Sequence, residues 1–195
     1  MNCDLTVGKP STTLWKYTLP MFISVVFQQF YNIADSAIAG KFAGESALAA
    51  IGASYPITMI FMAVATGSSV GVTVVISQYF GARRYGGLKT AAYTTMIFGT
   101  VLSLVLTAAA LICSPMMLRA IQTPESIFAD AEIYMNIYLG GFLFLYLYNV
   151  ANGVFNAMGD SKTPLYLLIL SSLGNVVLDY IFVAIFHWGV AGAAW

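Results

Sequence analysis

Residues 14–39 read LWKYTLPMFISVVFQQFYNIADSAIA, and this stretch decides the fold class. It is far longer than the roughly 7–15-residue apolar core of a signal peptide. It also contains Gln28, Gln29 and Asp35, so the cleavage-site mimic Ala37-Ile38-Ala39 is set aside. A helix needs about 20 residues to cross a hydrocarbon core of about 30 Å. Lipid accepts apolar side chains on every face of such a helix, because its backbone polar groups bond within the segment. The stretch reads as a retained transmembrane helix.

Four more runs of comparable length follow, over residues 55–80, 91–117, 131–157 and 164–186. The tail GVAGAAW, residues 189–195, reads as the opening of a sixth span. The breaks carry turn residues: GARRYGG at 81–87, Pro115 and Pro124 around the next, and MGDSKTP at 158–164, whose proline suits a first helical turn. Of the 195 residues 59% are hydrophobic and 8% charged. A soluble domain carries roughly 25% charged residues, so these few cannot cover a water-facing surface. The predicted fold is an all-α membrane protein, a polytopic bundle of five complete spans and the start of a sixth, with the lipid bilayer as its surroundings.

The formal net charge is zero, which gives no reason to expect a nucleic-acid partner. Cys3 lies in the polar leader and Cys113 in an apolar run; neither belongs to a disulfide framework or a zinc cluster. The sequence has no H-E-x-x-H, G-x-S-x-G or G-x-x-x-x-G-K-[ST], so it reads as neither a hydrolase nor a nucleotide-driven pump. Placing the N-terminus in the cytoplasm puts Lys9, Lys16, Arg83, Arg84, Lys89 and Lys162 inside and only Lys41 and Arg119 outside. That is the orientation the positive-inside rule favours.

Two carboxylates interrupt the apolar spans, Asp35 and Asp179. A charge at the bilayer centre costs about 2.5–3.5 kcal/mol on insertion scales, and such residues face a bundle interior or a water-filled cavity. Asp35 lies 19 residues past Lys16 (35 − 16) and Asp179 17 past Lys162 (179 − 162). At 1.5 Å per residue these are ~29 Å and ~26 Å, so the two acids share a level. Depth alone fits a shared cavity and the outer interface equally. The neighbours favour a cavity. Gln28, Tyr31 and Asp35 fall on one face of the first helix with Asn32 close by, and Asn175 and Asp179 share a face of the fifth. Asn149, Asn152 and Asn156 form a stripe on the fourth, suited either to a cavity wall or to bonds between helices. The candidate proton or cation site is therefore Asp35, Asp179 and Asn175, which offer oxygen ligands to H⁺ or Na⁺. Gln28, Tyr31, Asn32, Asn149, Asn152 and Asn156 are candidate cavity-lining residues. Ala63, Gly67 and Gly71, four apart on the second span, suit close helix packing.

Several segments resemble one known family. DSAIAG at 35–40 with GESALAAIG at 44–52 is similar to the first helix and following turn of the multidrug and toxic compound extrusion (MATE) transporters. QYFGA at 78–82 resembles their Q-x-x-G-A, and 156–164 their G-D-x-K-T-P loop. Asn175 and Asp179 resemble their N-x-x-x-D, and 189–195 their G-x-x-G-A-A-W. The resemblance runs through nearly the whole chain. It implies the N-terminal lobe of a twelve-helix, two-lobe exporter in the plasma (inner) membrane, with the C-terminal lobe missing from this chain. It implies antiport of cationic or amphipathic drug-like compounds against H⁺ or Na⁺, with no cofactor, and a coupling role for Asp35, Asp179 and Asn175. Alone, this piece is expected not to transport.

Two rivals are weighed against it. A lipid or polysaccharide flippase would be expected to carry buried Lys or Arg for a phosphate-linked head group, and these spans hold acids and amides instead. An intramembrane aspartyl protease needs two facing aspartates in its spans, whereas Asp160 sits in a turn and Asp35 follows Ala34 rather than a tyrosine.

Overall fold

The structure is a computed structural model describing residues 10–195; Cys3 and Lys9 lie outside the described residues. Helix α1 (Pro10–Ile38) runs on into a π-helical turn (Ala39–Ala43). After it come α2 (Glu45–Gly81), α3 (Tyr85–Ala120), α4 (Phe128–Gly140) and α5 (Phe142–Ala157). Helix α6 (Lys162–Asp179) runs on into a second π-helical turn (Tyr180–Ile185), and α7 (Gly189–Ala194) follows.

By length and hydropathy α2, α3 and α6 with its π-helical extension can each cross a membrane, and α4 with α5 makes a fourth crossing bent by 46°. The bend falls at the Gly140-Gly141 pair, where no side chain braces the backbone. Helix α1 is long enough at 29 residues. Its Lys16, Gln28, Gln29, Asn32 and Asp35 keep it outside the set that meets the hydropathy requirement. Much of the outer surface is apolar: Ile112 is 81% exposed, Phe144 74% and Leu170 71%. Such side chains face lipid in a protein embedded in a membrane.

Four helix ends close with a similar turn. A left-handed residue is followed by an amide that donates five residues back, or six after the second π-helical turn, satisfying a carbonyl the helix would otherwise orphan. The pairs are Arg84 to Tyr79 at 2.9 Å, Thr123 to Leu118 at 3.1 Å, Asp160 to Phe155 at 3.0 Å and Trp188 to Phe182 at 3.0 Å. The left-handed residues are Arg83, Gln122, Gly159 and His187, and only Gly159 takes that conformation without a Cβ penalty. His187 is exposed and serves as a helix stop.

The buried core belongs to α2, α3, α4 and α5, with Phe61, Ile76, Leu118, Met135 and Phe142 among its members. Phe142 stands edge-on to Phe61 at 5.2 Å and to Tyr146 at 6.2 Å. Helix α2 lies along α5 more extensively than any other pair, while α1 packs chiefly on α6, outside that core. Close approach comes from glycines other than those the sequence spacing suggested. A Cβ on Gly153 would lie 2.7 Å from the Ser69 carbonyl oxygen, and one on Gly99 2.1 Å from the Tyr146 ring. Gly67 and Gly71 face open space, and Ala63 beside them is exposed. The Ala63/Gly67/Gly71 stripe is thus on the face of α2 turned away from its partners in this chain. Cys113 is free and half-buried.

Candidate functional site

The site is built on one face of α1. Tyr17, Met21, Ser24, Gln28, Tyr31 and Asp35 recur every three or four residues, which stacks them along a single stripe. Met21, Ser24 and Gln28 line a cavity of about 320 Å³. Its far wall is α5, through Tyr148, Asn149, Asn152 and Asn156; α2 adds Met62 and Thr66, and α6 adds Pro164 and Leu168. All three asparagines of the α5 stripe therefore reach the cavity. Their printed side-chain bonds run within α5 rather than between helices: Asn149 Nδ2 donates to the Leu145 carbonyl at 2.9 Å and Asn156 Nδ2 to Asn152 Oδ1 at 3.1 Å. The wall offers amides, hydroxyls and thioethers, with no charged side chain among its lining residues.

One end of the cavity is closed by hydrogen bonds. The Tyr17 hydroxyl donates to the Asn156 carbonyl at 3.0 Å, and the buried Ser161 hydroxyl donates to the Tyr17 carbonyl at 3.0 Å. These bonds also place the start of α1 and the α5–α6 turn at the same end of the bundle. Next to Ser161, Asp160 accepts from the Lys162 amide at 3.2 Å, from the Thr163 amide at 3.1 Å and from the Thr163 hydroxyl at 2.7 Å. Partial burial pushes the Asp160 carboxyl up, but the Thr163 and Lys162 hydrogen bonds outweigh it and hold the group below the usual carboxylate range.

Beyond Gln28 the α1 stripe reaches the acids. Asp35 and Asp179 come within hydrogen-bonding reach of each other, although 144 residues separate them in sequence (179 − 35). Asp179 is 3% exposed. Its Oδ2 and the Oδ1 of Asn175, one turn earlier, are buried and accept no hydrogen bond from the described residues. The Tyr31 phenol lies within electrostatic reach of both acids. So does Tyr134 on α4, which the sequence does not single out. Tyr134 stacks on Tyr138 at 6.2 Å, and this i, i+4 tyrosine pair was the available signal. Asn32 is not brought to the cavity: one position past Tyr31 it has turned about 100° around the helix. There it is exposed and donates to Gln29 Oε1 at 3.2 Å.

Two carboxyl groups in contact can hold a proton or a cation between them, because two bare charges at that distance repel strongly. Oxygen donors suit H⁺ or a hard cation such as Na⁺. Among the described residues no three His, Cys, Asp or Glu side chains gather as a metal centre would require.

A helical membrane lobe with a polar cavity and a paired-acid site beyond it is the architecture of a transporter half. Residues 20–181 match the MatE family, and the chain belongs to that family. It is 32% identical over 192 residues to the probable multidrug resistance protein YpnP of Bacillus subtilis, covering 98% of this chain and 43% of that protein. It is 24% identical over 185 residues to the probable multidrug resistance protein NorM of Thermotoga maritima, covering 93% and 40%. Among solved structures, a MATE transporter in complex with MaD3S superposes with a TM-score of 0.91 at 30% identity, over 99% of this chain and 43% of that one. An outward-facing multidrug resistance MATE transporter of the MOP superfamily gives 0.90 at 30%, over 96% and 41%. The chain thus spans about two fifths of the length of these relatives, consistent with an N-terminal half.

Proposed function

We propose that the full-length protein is a secondary multidrug exporter of the plasma membrane, exchanging cationic or amphipathic compounds for H⁺ or Na⁺. The chain supplies its N-terminal lobe, with the α1 start on the cytoplasmic side. The observation that carries this reading is the contact between Asp35 and Asp179 on two helices of an apolar bundle. Maintaining two adjacent carboxyls there is costly unless something binds between them. A coupling ion supplies that occupant. Asp179 Oδ2 and Asn175 Oδ1 offer oxygens free to receive it. An ion gradient supplies about 2.3 kcal/mol per charge per 100 mV, plus its concentration difference. The neighbouring cavity, walled by Asn149, Asn152, Asn156 and Gln28 with Met21 and Met62, matches an amphipathic cargo: amides for its polar end and thioethers for its apolar body. The names of YpnP and NorM point to the same activity.

The test is ethidium efflux from cells carrying the full-length gene, under imposed H⁺ or Na⁺ gradients. Efflux is expected to follow one gradient and to fall to the vector baseline in Asp35→Asn and Asp179→Asn. Normal efflux in the double variant would overturn the coupling role. No efflux from correctly inserted wild-type protein would overturn the cargo.

A further inference from the structure

The two hydrogen bonds at the end of the cavity tie together segments far apart in the chain, and the proposed transport path gives that tie a consequence. Tyr17 sits one turn before Met21 and two before Ser24 on the cavity-facing stripe of α1. Asn156 and Ser161, its two partners, themselves line the cavity. The bonds interlock: Tyr17 donates through its side chain and accepts through its carbonyl, so α1 is held from both sides by the α5–α6 turn. Ser161 is 5% exposed, so in the closed arrangement its bond to Tyr17 is shielded from water. The bonded turn is itself braced by Asp160, which fixes the first turn of α6 through Lys162 and Thr163. A rigid turn on one side and a helix start on the other make a closure whose opening breaks two hydrogen bonds and leaves the packed core of α2 to α5 intact.

We propose that Tyr17, Ser161 and the Asn156 carbonyl form a latch that seals the cavity of this lobe at the end bearing Lys16 and Lys162. Tyr17 and Ser161 act as positioning residues: they hold the closed state and have no direct part in binding the ion. The latch rests on the cavity described above, and its test is separable from the test of the cargo.

The experiment places a single cysteine at Leu168, on the α6 wall of the cavity, in a full-length transporter from which every native cysteine has been replaced, Cys3→Ser and Cys113→Ala among them. A membrane-impermeant maleimide is then applied from either side, to intact cells and to inverted vesicles. Tyr17→Phe and Ser161→Ala are each expected to raise the labelling rate from the Lys16/Lys162 side roughly fivefold, the shift in open fraction that one lost hydrogen bond produces. Ser161→Thr, which keeps the hydroxyl, restores the slow rate. Labelling from the opposite side is unchanged in every variant. Equal rates in wild type, Tyr17→Phe and Ser161→Ala would overturn the latch. So would a rise that is the same from both sides, because that reports a loosened fold. Either result can be read whether or not the protein exports ethidium.

Discussion

Asp160 shows how much one residue outside the proposed chemistry contributes to the fold. Its carboxylate accepts three hydrogen bonds from the first turn of α6, and that helix has no other side-chain cap at its N-terminal residue. Asp160→Ala is expected to lower stability by about 0.5–2 kcal/mol, the usual cost of losing a cap, read as a lower melting temperature in detergent. Asp160→Asn should recover most of it. Because the folded carboxyl is held below its usual range, folding favours the charged form. That contribution is complete above the ordinary carboxylate range and fades as pH falls through the lowered value. Sequence reasoning separates the residues here into two groups. Asp35, Asp179, Asn175, Gln28 and the α5 asparagines were legible because a polar group in an apolar helix demands an explanation. Tyr134 was not, since a tyrosine is equally at home in a lipid belt, and only the approach of α4 to the acids distinguishes it.

At the scale of elements the apolar runs marked the helices well, because lipid removes the ambiguity that periodicity leaves in a soluble chain. The sequence did not reveal the bend between α4 and α5 or the π-helical turns after Ile38 and Asp179. A glycine pair permits a bend without requiring one, and nothing local distinguishes a π-helical turn from an α-helical one in an apolar run. The small-residue pattern also needed three dimensions. Gly153 lies against the α2 backbone near Ser69, while Gly67 and Gly71 meet nothing. Gly153→Ala is therefore expected to destabilise the lobe by about 1–3 kcal/mol, the cost of overpacking against a backbone that cannot yield. Gly67→Ala and Gly71→Ala should leave the melting temperature of the lobe unchanged or raise it slightly, since Ala favours a helix. Thermal melts of the three variants in one detergent check the contrast.

Among the described residues the molecule divides into a packed unit of α2 to α5, with α7 against α4, and the pair α1 and α6 leaning on it. The core residues come from α2 to α5, while α1 is held by α6, by the π-helical turns and by the hydrogen bonds of Tyr17. Backbone opening should follow that division. Hydrogen exchange in detergent is expected to protect α2 and α5 amides longest and to release α1 amides earlier. Uniform protection across all the helices would contradict the division.

The stripe from Tyr17 to Asp35 makes α1 a keyed shaft. Latch, cavity wall and acid share one angle around its axis, so a turn of the helix reaches all three as the same rotation. A one-residue slip in register, about 100°, would carry them out of phase together. What the spacing of those residues sets, therefore, is phase: Tyr17, the cavity-lining Met21, Ser24 and Gln28, and Asp35 keep one angle around the helix axis.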